Sequence, residues 1–235
     1  MKMETLCEQL MNLDTACICD ASKLLKSQDS GIEKLRVVDP AIRPIRTGLK
    51  LVGLAHTVSC YEDFLTVIKA LRDARAGEVL VIDSQQSRYA LAGELFPTEA
   101  LRKGLAGIVV DGPCRDTAAI TQLDLPYYAR SINAQAGTTT SLYDTQVPIL
   151  CGGVRVSPGD ILFGDDDGLI VATLEEWSRL IPVAEQIQRM ESIMLKQMSQ
   201  GKSLLDMMNF EEHCEAVRAG KKSQLAFKLD SDSEE

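Results

Sequence analysis

Apolar positions along the chain alternate between two spacings, and the alternation places the elements. Over residues 3–26, Leu6, Leu10, Leu13, Ala16 and Cys17 recur at helical spacing, and Asp20-Ala-Ser is a point where a second turn of structure can open. Residues 42–60 carry alternating and continuous apolar stretches, Leu49-Lys-Leu-Val-Gly-Leu-Ala among them, and read as strands. Asp63 to Ala74 is amphipathic, with Phe64, Val67, Ile68 and Leu71 on one face, and Gly77 ends it. A short buried strand follows at Glu78–Asp83, then the polar loop Ser84–Arg88, Gly93, and a helix from Glu94 to Lys103 stopped by Gly104. Gly107–Asp111 is a second buried strand, Gly112-Pro113 a turn, Asp116–Gln122 a short helix and Pro126–Ser131 a third strand. Strands that alternate with helices predict parallel pairing with right-handed crossovers.

The second half changes character. Val147–Leu150, Val154–Val156, Ile161–Phe163 and Leu169–Ala172 read as closely spaced short strands, antiparallel or mixed, with turns at Gly152-Gly153, Pro158-Gly159 and Asp165–Gly168. A long helix is expected over Leu174–Met198, capped by Thr173 with Glu175-Glu176 in its first turn, and another within 201–218. No linker demands a division and no repeat is visible, so the expectation is an α/β single domain over 1–220 and a disordered acidic tail over 221–235, ending Asp230-Ser-Asp-Ser-Glu-Glu235.

Composition narrows the function classes. The 235 residues are 45% apolar and 25% charged, enough to build a core without metal or disulfide staples. A net charge of −9 argues against nucleic acid as a broad electrostatic partner, although a local Arg and a metal can reverse the field inside a cleft. No apolar run suits a membrane span, residues 1–10 lack the pattern of a signal peptide, and seven scattered cysteines suit a reducing compartment, so a cytoplasmic protein is expected. Cys17 and Cys19 form a C-x-C without a second ligand pair, which reads as two small residues in a helix. With only His56 and His213, a His-rich metal site or a Ser-His-Asp triad is poorly supplied.

Two short segments carry candidate chemistry. Gly93-Glu-Leu-Phe96 opens a helix, where a glycine lets a ligand approach and the free N–H groups of the first turn suit a carboxylate. Taken alone it is an ordinary turn. Arg115-Asp116 follows a buried strand, at the end of the sheet where ligands bind in open α/β folds. Neighbouring side chains diverge on a strand, but a tight turn or helix start lets both face one way. Arg then offers a planar fork to an oxyanion, and Asp a hard oxygen to Mg²⁺ or Mn²⁺. Loops after neighbouring parallel strands open on one edge, so the two segments are expected to face each other across a small cleft. Gly164-Asp-Asp-Asp-Gly168 lacks the spacing and distal Glu of a calcium loop and reads as a structural turn.

These residues resemble a known family. Gly93-Glu-Leu-Phe, the run Gly104-Leu-Ala-Gly-Ile-Val-Val-Asp-Gly-Pro-Cys-Arg-Asp116, Cys19-Asp-Ala, Arg75–Asp83 and Val156-Ser-Pro-Gly-Asp-Ile-Leu-Phe-Gly-Asp-Asp-Asp-Gly-Leu-Ile-Val171 together look like the proteins related to regulator of ribonuclease activity A. Those include the class II 4-hydroxy-4-methyl-2-oxoglutarate/4-carboxy-4-hydroxy-2-oxoadipate aldolases. The resemblance spans roughly residues 5–195. It implies a phosphohistidine-domain-like β/β/α (swivelling) fold with a long C-terminal helix, assembly as a trimer or hexamer, and a 2-oxo acid substrate such as pyruvate. By the same resemblance the backbone of Gly93, Glu94, Leu95 and Phe96 holds the substrate carboxylate, Arg115 binds the 2-oxo oxygen and Asp116 holds a divalent Mg²⁺ or Mn²⁺. The implied activity is metal-dependent retro-aldol cleavage with oxaloacetate decarboxylation through the same enolate. Glu94, or a carboxylate such as Glu185 or Glu191 from a neighbouring subunit, is the candidate for activating the base. Glu94 stands where aldolase members usually carry Asp. The alternative is a protein-binding regulator of ribonuclease activity. Such members tend to lack the Asp after the Arg, which this chain has.

Overall fold

The computed structural model describes residues 2–27 and 35–227, and the acidic end at Asp230–Glu235 lies outside them. The chain divides into two compact units, residues 1–184 and 185–235. The first begins with helices α1 (Met3–Met11) and α2 (Thr15–Ser27). The break lies at 12–14 rather than at Asp20, which sits inside α2, because the caps are at the earlier position. Asp14 Oδ1 accepts the Cys17 N–H at 2.7 Å, and Asp165, distant in sequence, accepts the Thr15 N–H at 2.8 Å and its hydroxyl at 2.7 Å.

Short strands β1 (Arg36–Val37) and β2 (Arg43–Pro44) precede β3 (Leu51–Ser59), α3 (Leu65–Asp73), β4 (Glu78–Asp83), α4 (Leu95–Arg102), β5 (Gly107–Cys114), α5 (Thr117–Ile120) and β6 (Tyr127–Ile132). β3 to β6 are parallel neighbours, as the strand–helix alternation predicts. The later strands β9 (Ile161–Gly164) and β10 (Leu169–Ala172) extend the same sheet antiparallel from the free side of β3. The order is β1-β10-β9-β3-β4-β5-β6-β2, a mixed sheet among the described residues. β7 (Ile149–Cys151) and β8 (Val154–Val156) form a separate hairpin.

The expected turn at Gly112-Pro113 is not a turn: both residues belong to β5. β4 ends where Asp83 pairs with Asp111, so beyond that point a proline interrupts no ladder on the β4 side. On the β6 side a register shift falls between Val110 and Pro113. Gly112 leaves room for Ser84, with which any Cβ there would collide, and the Ser84 hydroxyl donates to the Asp111 carbonyl at 2.6 Å.

Alternation along the strands builds two cores. Leu80, Ile82, Ile108, Val110 and Tyr127 pack with Val67 and Ala70 of α3 and Ala100 of α4. Val79, Val81, Val109 and Tyr128 pack with Ile149, Cys151 and Val156 of the hairpin. Asp83, Asp111 and Arg130 continue this second face to the sheet edge. Asp111 takes Arg130 Nε and the Gly152 N–H, and Arg130 Nη1 reaches Asp39 at 3.0 Å, which latches the hairpin over the strand ends.

Helix α6 (Leu174–Ser199) starts with a reciprocal cap: Thr173 Oγ1 accepts the Glu176 N–H, and Glu176 accepts the Thr173 N–H. Buried Trp177 meets Phe163 edge-on at 6.1 Å. In the second unit the helix expected within 201–218 is divided into a 3₁₀ turn at Leu204–Met207 and α7 (Phe210–Arg218). Among the described residues no helix is long and apolar enough to cross a membrane.

One buried carboxylate pins the long loop after β6. Asp63 Oδ2 accepts the Thr138 hydroxyl at 2.7 Å and the N–H groups of Thr140 and Ser141 at 2.5 and 3.0 Å, while Oδ1 accepts the Leu65 N–H at 2.9 Å. Burial alone would raise its pKa, but these donors hold the carboxyl down to about 2. The stability it contributes is therefore complete above the unfolded carboxylate value of about 4 and fades as pH falls toward 2. Asp63→Asn should cost about 2 kcal/mol at pH 7. In urea melts, the gap between variant and wild type should narrow steadily below about pH 4.

Candidate active site

In-register β4 and β5 send their following loops to one edge. The loop after β4 returns alongside the end of β5, where Ala92 bridges Cys114 in parallel. This sets buried Gly93 against Arg115 and Asp116: a Cβ at Gly93 would collide with the Asp116 carboxylate and lie 3.0 Å from Arg115 Nε. Asp116 adopts a left-handed backbone, φ 59° and ψ 34°, which Asp tolerates better than most residues, and caps α5 through its carbonyl. That turn swings its side chain toward α4. Asp116 Oδ2 accepts the Glu94 N–H at 3.1 Å and lies 3.5 Å from Arg115 Nε. The expected juxtaposition of the two segments is therefore present, with Arg115 and Asp116 side by side rather than divergent.

The remaining residues of the Gly93–Phe96 segment divide by role. Glu94 precedes α4 with an exposed side chain, and Leu95 is 79% exposed. Phe96 turns inward and meets Phe64 edge-on at 6.0 Å. From the opposite side the buried Tyr127 donates its hydroxyl to the Ala92 carbonyl at 2.9 Å. Burial pushes the Cys114 thiol up to about 11, helped by the Asp116 charge, and lifts the Tyr127 phenol well above its usual range, so both stay protonated near neutrality.

Among the described residues no group of three or more His, Cys, Asp or Glu side chains could enclose a metal. A zinc-type site with three protein ligands is therefore not supplied among the described residues. Mg²⁺ and Mn²⁺ ask for less: Mg²⁺ keeps several waters and binds through one or two carboxylates, a demand that half-exposed Asp116 and neighbouring Glu94 fit. His56 is buried against Glu78 at 2.9 Å, and His213 meets Ser223. Lys103 is spent on the carbonyls of Leu71 and Arg72 at the end of α3, both at 2.6 Å, so it is no Schiff-base candidate.

Other motifs resolve into architecture. Asp165 caps α2, and Asp166 accepts the Gly48 N–H, so the Gly164–Gly168 segment is a structural turn. Cys17 and Cys19 lie inside α2 and form no disulfide among the described residues. A cleft of about 700 Å³ opens on the hairpin face, lined by Asp83, Gln85, Ser87, Asp111, Arg130 and Ser131 among others. Sequence reasoning did not foresee the Asp83–Asp111–Arg130 row, although period-two alternation along three strands in register would have placed all three on one face.

A family model described as "RraA-like: Aldolase/RraA" matches residues 15–171, about two thirds of the chain. The chain belongs to the RraA-like family. A relative in Halalkalibacterium halodurans, provisionally named 4-hydroxy-4-methyl-2-oxoglutarate aldolase, is 34% identical over 182 residues, covering 77% of this chain and 82% of that protein. Among solved structures, an uncharacterized protein of Pseudomonas syringae pv. tomato superposes with a TM-score of 0.73 at 25% identity, covering 86% of this chain and 96% of that one. The RNA-processing inhibitor RraA from Thermus thermophilis gives 0.57 at 27% identity, over 65% and 91%. The RraA-like fold thus accounts for the mixed sheet and the long C-terminal helix.

Gly93 is the tightest point of this RraA-like site. Gly93→Ala should drive Asp116 off the Glu94 amide. Losing a charge-assisted hydrogen bond worth about 1.5–3 kcal/mol should speed amide exchange at Glu94 tenfold or more, roughly. Exchange in the β4 and β5 core should be unchanged.

Proposed function

We propose that this RraA-like protein is a divalent-metal-dependent carbon–carbon lyase. It would cleave 4-hydroxy-4-methyl-2-oxoglutarate, or 4-carboxy-4-hydroxy-2-oxoadipate, to pyruvate and a second 2-oxo acid, and decarboxylate oxaloacetate at the same site. The observation that carries the reading is the Asp116 carboxylate resting on the Glu94 amide beside the Arg115 guanidinium. The start of α4 already attracts a carboxylate oxygen, and an oxyanion-binding fork stands next to it. Arg115 binds the 2-oxo oxygen and gains strength as charge develops there. Mg²⁺ or Mn²⁺, held at Asp116, would supply Lewis-acid stabilisation of the pyruvate enolate. In cleavage, a base takes the proton of the C4 hydroxyl, the C3–C4 bond breaks, and its electron pair passes into the enolate. Glu94, exposed at the start of α4 beside Asp116, is the candidate carboxylate to relay that proton. Decarboxylation releases CO₂ from oxaloacetate and leaves the same enolate without needing that base, so Glu94 separates the two reactions.

In a trimer or hexamer a neighbour's carboxylate, Glu185, Glu191 or another, could reach this half-exposed site, and the 79% exposure of Leu95 beside Glu94 leaves room for such a contact. A second reading is a protein-binding regulator, as the name of the Thermus relative suggests for that protein. Asp116 favours the enzyme, and turnover of oxaloacetate with Mg²⁺ decides between them.

Arg115→Ala should lower pyruvate formation from either substrate by about 100-fold or more. EDTA should abolish it and excess Mg²⁺ or Mn²⁺ restore it. Glu94→Gln should depress aldol cleavage by about 100-fold while decarboxylation falls by less than about tenfold, both followed by coupled pyruvate detection.

A further inference from the structure

The two limbs of the site meet at the Ala92–Cys114 bridge. Beyond it one limb runs through Gly93 into α4, and the other through Arg115-Asp116 into α5. The α4 limb is anchored past the site, by Phe96 against Phe64 and Ala100 in the core, and not at its first residues. Gly93 has no side chain, and Glu94 and Leu95 are exposed. On the near side of the site, the backbone just before Gly93 is gripped at the Ala92 carbonyl by the Tyr127 hydroxyl at 2.9 Å. Tyr127 is 1% exposed and lies in the same buried cluster as Ile108, Ile120 and Leu125, so its ring has little freedom to follow a moving loop.

We propose that Tyr127 is the positioning residue of the site: its hydroxyl fixes the Ala92–Gly93 peptide, and through it places the Glu94 amide where a substrate carboxylate binds. This rests on the proposed reading of the site as a 2-oxo acid site. Because burial keeps the phenol protonated, it donates throughout the working pH range. The adjacent Tyr128 supplies an internal comparison. Its buried hydroxyl likewise donates to a carbonyl, that of Asp165, at 2.9 Å, but on the other face of the sheet and in a turn that caps α2. Two neighbouring tyrosines thus make the same bond, one into the site and one into the scaffold.

The test compares Tyr127→Phe with Tyr128→Phe in the full chain. Each loses one buried hydroxyl–carbonyl bond, so similar falls in thermal midpoint are expected. Only Tyr127→Phe should speed amide exchange at Glu94, by about tenfold, and raise the KM for oxaloacetate about tenfold with kcat held within about twofold, the pattern of lost uniform binding. A merely structural loss would lower the active fraction, and hence kcat, and leave KM alone. Unchanged exchange at Glu94, an equal effect from Tyr128→Phe, or an unchanged KM in active enzyme would each overturn the proposal. If the wild-type chain turned over no 2-oxo acid, the lyase reading would fail, while the Glu94 exchange comparison would still decide whether Tyr127 sets this backbone.

Discussion

The parallel, in-register pairing of β4 with β5 is the constraint from which the rest follows. It aligns Asp83 with Asp111 and sends both following loops to the same edge. Because β5 runs on three residues beyond that pair, its last residue is left open on the β4 side, and Ala92 takes the place there. The proximity of Gly93 to Asp116 is a product of this vacated ladder position rather than of any attraction between the two segments. The charge-assisted bond from the Glu94 amide comes afterwards and adds direction.

The same alternation gives the edge two chemically different faces. On the helix side stand a glycine, an arginine, a half-exposed aspartate and the start of α4, a set suited to a small anion. On the hairpin side stand Asp83, Asp111 and Arg130, whose charges are turned on one another and on hairpin amides. Burial raises the pKa of the Asp83 carboxyl from its ordinary value, and the Asp111 charge adds to this while the Gln85 N–H opposes it. That row binds the hairpin in place. Within a chain of net charge −9, Arg115 and the start of α4 thus form a local anion-seeking set on one face of this sheet edge.

Much of this was legible in the sequence, and the exceptions share a cause. α3, α4 and β3 to β6 declare themselves through apolar spacing, because each buries one or both faces against a neighbour close in the chain. The site residues were legible through the spacing of Gly93-Glu-Leu-Phe and Arg115-Asp116 and the family resemblance. Gly112-Pro113 misled because both residues carry a strong local turn preference, and only the early end of β4 removes the penalty for extending them. The helix break after Met11 was hidden because half of its cap, Asp165, lies 150 positions away. β1 escaped notice because two residues carry no period. Tyr127 reads from sequence as an ordinary core residue, since nothing in the pattern tells which carbonyl its hydroxyl will meet.

The long reach of Asp165 also sets an order of events during synthesis. α2 is capped from that turn, Arg36 pairs with Asp160 and Glu176, and β1 and β3 dock against β10 and β9. α2 and β1 therefore lack these partners until about residue 176 has left the ribosome. The strands β3 to β6 can pair among themselves before then, with the open edge of β3 exposed and awaiting β9. A nascent chain stalled short of Asp160 would carry the whole candidate site yet present an uncovered strand edge, a species for chaperones to hold rather than one ready for catalysis.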